Sequence, residues 1–523
     1  MGRRAQAIAV LGTGSDVGKS VIVAGLCRLL HRAGVRVAPF KAQNMSLNSF
    51  VTVEGGEMGR AQVLQAYACG LVPHVDMNPI LLKPEADDRS QVILYGKVLG
   101  SHDAGGYFTR TRELFRFVRA SYERLASQYE VIVVEGAGSA AEMNLRDRDL
   151  VNWPVAELAD AGVVLVADID RGGVFAQVIG TLDLLSADER ERLVGVIVNK
   201  FRGDTRLFAD GVAFLEARTD LPVLGVLPFL RDLELDQEDS VEVERYRHTR
   251  FTSQGVNVAV TLLPRMSNFT DFNALAAEGD VALRYAASPR DIQGADVVVL
   301  PGSKNTIADL EHLRRAGFDE ALMAHVDRGG ELVGICGGYQ MLGRVIADPH
   351  GVEAGGRMQG LGLLDVITEL RPHKRTVQIE ALALHVEALP DSIVSGYEIH
   401  MGVTRRETAM PCFRILRRIG QAGPGGDPAW QEEQEALDGA IRQDRLVWGT
   451  YIHGLFDRPG FRRLWLNRLR ERKGLPQLDT VVSEAVAARL ASALDCWADH
   501  MAQHVDVGRI FAAVGVGKAL ERG

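Results

Sequence analysis

Residues 7–20 read AIAVLGTGSDVGKS, an apolar run followed by a glycine-rich loop and a Lys-Ser pair. A helix-length segment, Val21–Ala33, comes next. Strand, glycine-rich loop, Lys-Ser and helix make up a phosphate-binding loop. Backbone N–H groups and the helix N-terminus cradle phosphates, Lys19 reaches the terminal ones, and Ser20 is placed to ligate Mg²⁺. The cradle comprises Gly12, Thr13, Gly14, Ser15, Asp16, Val17, Gly18, Lys19 and Ser20. The usual spacing puts a glycine at position 13; here Thr13 stands there and Gly12 lies one residue earlier, so the loop is longer by one. Gly12, Gly14 and Gly18 also fit a loosened dinucleotide fingerprint, but that reading wants an acid after the second strand. Lys41 occupies that place, and the Lys-Ser pair would have no purpose.

Outward from the loop, short β-branched runs alternate with helix-length segments. Ala7–Leu11, Val35–Phe40, Val131–Val134, Val163–Ala167 and Val194–Val198 form a first series. Val256–Leu263, Val281–Tyr285, Val297–Leu300, Leu332–Ile335 and Leu446–Ile452 form a second. Near-continuous apolar strands separated by helices predict mostly parallel sheets covered on both faces. The fold class is therefore α/β, with two doubly wound domains, 1–235 and 256–460, joined by a charged linker, 236–255. Helical periodicity over Phe461–Arg472 and Val481–His500 predicts a C-terminal extension, 461–523, and Gly420–Gln434 reads as a surface loop.

Composition limits the partners. The balance of 59 basic against 68 acidic residues gives a net charge of −9 without a basic block, which argues against a nucleic-acid binder. No apolar run approaches the ~18 residues of a membrane span. The apolar stretch behind Arg3-Arg4 runs straight into the glycine loop and reads as a strand rather than an export signal. Five scattered cysteines without a C-x-x-C pair point to a reducing cytoplasm. Small-molecule substrates are the expected partners, and homo-oligomerisation stays open.

Three more residues belong with the phosphate cradle. Glu135 ends an apolar strand in EGAG, where a second Mg²⁺ carboxylate is expected; a helix-capping acid is the alternative. Lys41 follows the second strand and would face a terminal phosphate or an anionic substrate, unless it is merely solvated. Asn199 follows the strand Val194–Val198, where its amide could read an adenine edge.

A second site lies in the other series. Gly334-Ile-Cys336-Gly-Gly338 between strand and helix is the cysteine form of a nucleophile elbow. A lone cysteine is more often a buried small hydrophobe, but flanking glycines favour an exposed thiolate at a helix N-terminus. Among 13 histidines, His453 in TYIHGLF ends a strand of the same sheet, so Cys336 and His453 can meet at one edge. His373, His385 and His400 are its rivals. Backbone N–H groups at Gly302, in LPGSKNT, and at Gly337 are candidates for an oxyanion hole.

GICGGYQMLG, YIHGLF, NVAVTLLPRMSNFTDFN (257–273), LPGSKNT and GYEIHMG (396–402) resemble the class I glutamine amidotransferase domain of the corrin-amidating branch. GTGSDVGKS resembles the phosphate loop of dethiobiotin-synthetase-type enzymes, which turn carboxylates into acyl phosphates. With KAQNMSLNS (41–49), GGEMGRAQ (55–62), MNPILLKP (77–84) and VEGAGSAAEMNL (134–145), the chain resembles the cobyric acid synthase family over nearly its whole length. The resemblance implies ATP- and glutamine-dependent amidation of the b, d, e and g side-chain carboxylates of adenosylcobyrinic acid a,c-diamide. It implies Cys336 as glutaminase nucleophile, His453 as its base, and Mg-ATP on the loop with Glu135.

The common triad carries Glu two residues after its His; Leu455 stands there, which suggests a dyad, with Glu398 a distant candidate partner. A cyrinic acid a,c-diamide synthase is the nearest rival, disfavoured by Asn44 and Asn48. A switch ATPase would leave Cys336 and His453 unexplained, and a thiol hydrolase would leave Lys19, Ser20 and Glu135 unexplained. Lys19→Ala is expected to abolish amidation with either glutamine or ammonia as nitrogen donor. Product formation at saturating Mg-ATP is the measurement, and substantial turnover would place the cradle elsewhere.

Overall fold

The computed structural model describes residues 5–86, 88–230, 233, 235, 246–385, 392–420, 436–479 and 485–516. Half of the expected linker, 236–245, and the expected loop beyond Gly420 lie outside the described residues. The first central sheet holds six parallel strands, β1 (Gln6–Gly12), β2 (Val37–Phe40), β3 (Val131–Glu135), β4 (Gly162–Asp168), β5 (Leu193–Phe201) and β6 (Val223–Pro228). Their order is β6-β5-β4-β1-β3-β2. β1 lies between β3 and β4, so its C-terminal end opens at the middle of the sheet. The interior of β1, β3 and β4 is buried throughout because helices cover both faces. Gly18 caps α1 (Lys19–Arg32) at φ +96°, a left-handed turn that favours glycine.

The second sheet contains β7 (Val256–Thr261), β8 (Val281–Ala286), β9 (Val297–Leu300), β10 (Glu331–Ile335) and β11 (Val447–Thr450). These run parallel in the order β8-β7-β9-β10-β11, and Ala440–Ile441 adds an antiparallel edge. α2 (Gly337–Leu342) starts one residue after β10. The expected strand Leu446–Ile452 is split: after β11 the chain crosses to a different sheet, where His453 pairs with Tyr397.

Two mixed sheets, which the parallel pattern does not predict, form much of the contact between the domains. Gln43–Met45, Ile80–Pro84, Arg89–Leu94 and Lys97–Asp103 form one in the first domain. The long strands Val366–Ala383 and Ile393–Arg406 anchor the other. Thr376 Oγ1 donates to the Gly55 carbonyl at 2.7 Å and Gln378 Nε2 to the Val51 carbonyl at 2.8 Å, joining the two domains directly.

Residues 461–523, expected as one extension, divide between the two cores. α3 (Pro459–Arg472) packs Phe461, Trp465, Leu466 and Leu469 into the second core. α4 (Val486–His504) and α5 (Val507–Ala513) return to the first domain, where Trp497, Met501 and Phe511 join Ile22, Val23 and Leu26 of α1. Trp497 Nε1 donates to the Val21 carbonyl at 2.6 Å, and Arg28 grips Asp495 through two 2.8 Å bonds. Trp497→Ala removes a large buried side chain under α1 and is expected to destabilise the first domain by about 3–5 kcal/mol. Denaturant unfolding should show that loss while glutamine hydrolysis by the second domain persists.

Candidate active sites

The phosphate loop folds around its own lysine. Lys19 Nζ donates to the carbonyls of Gly14 at 2.8 Å and Gly138 at 2.9 Å. A side chain at Gly12 would have its Cβ 3.0 Å from that nitrogen and 2.9 Å from the Gly14 carbonyl, so the cradle needs glycine there. Thr13 is bridged to Ser139, and Ala140 donates its N–H to the Gly12 carbonyl at 2.8 Å. Ser15 and Asp16 are exposed at the loop tip, while Val17 turns into the core. Asn199, the expected adenine contact, lies against the phosphate loop. Its Nδ2 donates to the Val17 carbonyl at 2.8 Å and its Oδ1 accepts from Lys200 N, so the side chain braces the loop.

Glu135 gathers the other donors. Ser20 Oγ donates to its Oε1 at 2.7 Å, and Lys41 Nζ reaches the same oxygen at 2.8 Å. Gln65 donates to Oε2, and Gln62 approaches it at 3.4 Å. Burial alone would raise this carboxyl; the Lys41 ammonium, with hydrogen bonds from Gln65 and Ser20, offsets burial and holds it below the ordinary range. The helix Arg60–Ala68 thus supplies two glutamines that sequence reading left without a role.

At the second site β10 and β11 run side by side, pairing Gly334 with Gly449 and Ile335 with Thr450. Cys336 follows at φ 52° and ψ −107°, a backbone position rarely open to a side chain and consistent with an elbow. Its Sγ lies 3.7 Å from the Ile399 carbonyl. Gly338 sits so close to Leu300 that a Cβ would fall 2.0 Å from its carbonyl oxygen, so the turn depends on glycine. Gly302 and Gly337 flank the pair: a Cβ on the first would meet His453 Cε1 at 3.1 Å, and one on the second Ser303 N at 2.8 Å.

His453 has a carboxylate partner that spacing did not reveal. Its Nδ1 lies 2.6 Å from Asp271 Oδ2, and Gly454 N donates to Asp271 Oδ1 at 2.9 Å. Glu398, the sequence candidate, faces Arg375 and Arg418 instead, each at 3.4 Å. Asp271 stands 182 residues before His453, in the short 3-10 helix Phe269–Phe272 between β7 and β8. The signal was present in SNFTDFN, an acid between two phenylalanines, but nothing in its spacing ties it to His453.

Burial would lower His453. Asp271 overcomes it by charge and hydrogen bond, and the Cys336 thiol adds to the pull, pushing the imidazole up to about 10. A protonated imidazole beside sulfur is the arrangement that favours a thiolate. The rivals are elsewhere engaged. His385 is wedged against Trp448 and Phe413, and His373 is exposed. His400 stacks on Tyr451 at 3.7 Å, and burial pushes it down to about 4.

A small cavity in front of Cys336 is lined by Asn268, Gln340, Lys374 and His400 from the second domain and by Lys83 from the first. The two sites also share a piece of chain. Within residues 41–49, Lys41 pairs with Glu135, while Asn48 accepts from Thr270 Oγ1 at 3.1 Å and Ser49 N donates to Asn268 Oδ1 at 3.0 Å.

Residues 8–243 match the family described as a CobQ/CobB/MinD/ParA nucleotide binding domain, and 257–461 match the CobB/CobQ-like glutamine amidotransferase domain. The chain is 49% identical over 521 residues to a cobyric acid synthase of Syntrophobacter fumaroxidans, covering 98% of this chain and 99% of the relative. The chain belongs to the cobyric acid synthase family. A cobyric acid synthase of Klebsiella pneumoniae is 49% identical over 514 residues, 97% of either chain. One from Salmonella heidelberg is 47% identical over 512 residues, 97% of this chain and 98% of its own. Among the described residues no helix is long and apolar enough to cross a membrane.

Within this family member, Asp271 is a positioning residue acting through His453, and its removal has a signed consequence. The raised histidine contributes stability that is complete below about pH 6.5 and is lost as pH climbs through about 10. Asp271→Asn is expected to cut glutamine hydrolysis by about 10²–10⁴-fold. It should also move the alkaline limb of kcat/KM to lower pH. An unmoved limb in a folded variant would show that Asp271 does not hold the proton on His453.

Proposed function

We propose that this chain is the ATP- and glutamine-dependent amidoligase that converts adenosylcobyrinic acid a,c-diamide to adenosylcobyric acid in cobalamin biosynthesis. Its targets are the b, d, e and g side-chain carboxylates. The observation that carries the reading is the pairing, in one chain of this family, of a phosphate cradle and a thiol site joined by residues 41–49.

The chemistry follows from both halves. A carboxylate does not condense with ammonia unaided, so it first takes the terminal phosphoryl group of ATP and becomes an acyl phosphate. Lys19, held over the loop, stabilises the charge that develops on the transferring group. Ser20 and Glu135, whose oxygens are 2.7 Å apart, would together hold Mg²⁺. Mg²⁺ bound there screens phosphate charge. Lys41 shares the same Glu135 oxygen, so metal entry calls for its ammonium to turn toward the phosphates.

In the other half, Cys336 attacks the glutamine amide to give a thioester, and the proton on His453 goes to the departing ammonia. N–H groups at Gly337 and Gly302 are the candidates to receive the oxyanion. Water on the resting thioester regenerates the thiol. Free ammonium is not a nucleophile, so NH₃ must cross between the domains before it is protonated. Support for an internal passage comes from Lys83 of the first domain lining the Cys336 cavity.

Incubation with the a,c-diamide, ATP and glutamine, followed by mass spectrometry, tests the reading: four successive single amidations are expected. Cys336→Ala should lose glutamine-dependent product yet keep ammonia-dependent product at high ammonium and raised pH. Amidation confined to unamidated cobyrinic acid would instead favour the a,c-diamide synthase reading.

A further inference from the structure

A cavity of ≈ 270 Å³ opens beside the phosphate loop, and neither site described so far uses it. Gln43, Tyr107, Phe108, Gly138, Arg148 and Trp153 are among its walls. Its position is specific. The Gly138 carbonyl accepts from Lys19 Nζ, and neighbouring Ser139 is bridged to Thr13, so cavity and cradle share a wall. It lies on the β3 flank of the loop; the β5 flank is closed by Asn199 and by Lys200, which pairs with Asp168 at 3.0 Å.

The lining joins Tyr107, Phe108 and Trp153 to four charged residues, Glu142, Arg146, Arg148 and Asp149, of which Glu142 accepts from Ser139 N at 3.2 Å. Trp153 Nε1 donates to the Ala140 carbonyl at 2.8 Å, which fixes the indole plane as a wall. Arg148 is exposed at the rim, its guanidinium 5.3 Å from the Phe108 ring centroid. Neighbouring charges are already engaged: Arg146 is paired with Glu189, and Asp149 accepts from the N–H groups of Val151, Asn152 and Trp153. No carboxylate pairs with Arg148 among the described residues. A guanidinium beside a ring and without a carboxylate partner has donors to offer a ligand carboxylate, and Arg suits that geometry.

We propose that this cavity is the acceptor subsite. It would take the edge of an apolar macrocycle bearing several carboxylates, with Arg148 gripping one that is not reacting while another enters beside Gly138 toward Lys19. The inference rests on the function proposed above and deepens it by naming where the corrinoid sits. It has an internal consequence. Each amidation replaces a carboxylate by a neutral amide, so the hold of Arg148 weakens as the reaction advances. Its removal should therefore matter most for the first addition and least for the last.

Arg148→Gln, Arg148→Lys and Leu145→Trp, the last adding bulk to the cavity wall, provide the test with adenosylcobyrinic acid a,c-diamide as acceptor. Arg148→Gln is expected to raise acceptor KM about tenfold for the first addition, the scale of a charged hydrogen bond. Its effect on the last should be smaller, with the KM for ATP and the rate of glutamine hydrolysis unchanged. Arg148→Lys should recover part of the loss, and Leu145→Trp should raise acceptor KM at every step. Because Arg148 is exposed, its variants carry the test even if Leu145→Trp does not fold. If the wild-type chain amidates the corrinoid and Arg148→Gln keeps its acceptor KM at every step, the subsite is overturned while the function stands. If the wild-type chain amidates no corrinoid, both fall together.

Discussion

Nine residues, 41–49, tie the two halves of this protein into one device. The segment begins at the Glu135 carboxylate and ends against Asn268 and Thr270, the residues that lead into Asp271. It crosses this distance with Lys41, Asn44, Asn48 and Ser49 buried, while Met45 stays exposed. Each buried polar group left without a partner would cost about 1–3 kcal/mol. Asn48 Oδ1 and the Ser49 N–H therefore find these partners only when the second domain is seated on the first. Domain docking and the positioning of the His453 partner are one event.

A charged cluster beside that segment restricts how the domains can meet. Glu57 is buried between Lys83 at 2.7 Å and Lys374 at 2.5 Å, one lysine from each domain. Burial would raise Glu57, but Lys374 and then Lys83 pull it down to about 2; burial in turn drives Lys374 down to about 7. Lys304 and Glu85 add a second contact across the seam at 2.8 Å. Buried pairs of this kind contribute little net stability, since desolvation offsets much of their attraction. Their geometry is exacting, however, and a slipped domain would strand a charge away from water.

Both chemical centres were legible because local constraints force them into consecutive residues. A loop that wraps phosphate needs glycine and Lys-Ser at fixed steps, and an elbow needs small neighbours around its cysteine. Asp271 was not legible, because its relation to His453 exists only after two strand ends fold together. The dyad suggested by Leu455 was a reading of spacing, and tertiary structure supplied the carboxylate from elsewhere. The bond from Asn199 to the Val17 carbonyl was not legible either, because it joins a strand end to a loop 182 residues away. α3 hid its burial behind arginines. Arg462 and Arg463 look solvent-facing in sequence, yet both are buried on Glu278, with Asp280 completing the set. Glu331 likewise accepts from Trp448, Trp465 and Arg468.

The return of α4 to the first domain has a consequence for the order in which the molecule is made. During synthesis domains generally fold as they emerge, the N-terminal one first. Here the part of the hydrophobic surface of α1 that faces α4 stays uncovered until Trp497 and Met501 have left the ribosome; this is the helix that carries Lys19 and Ser20 at its start. The nucleotide half is thus the first to be translated and the last to be completed. By then the glutaminase half between them has its full sequence, so the phosphate cradle gains its final support only in a chain that already carries its own source of nitrogen.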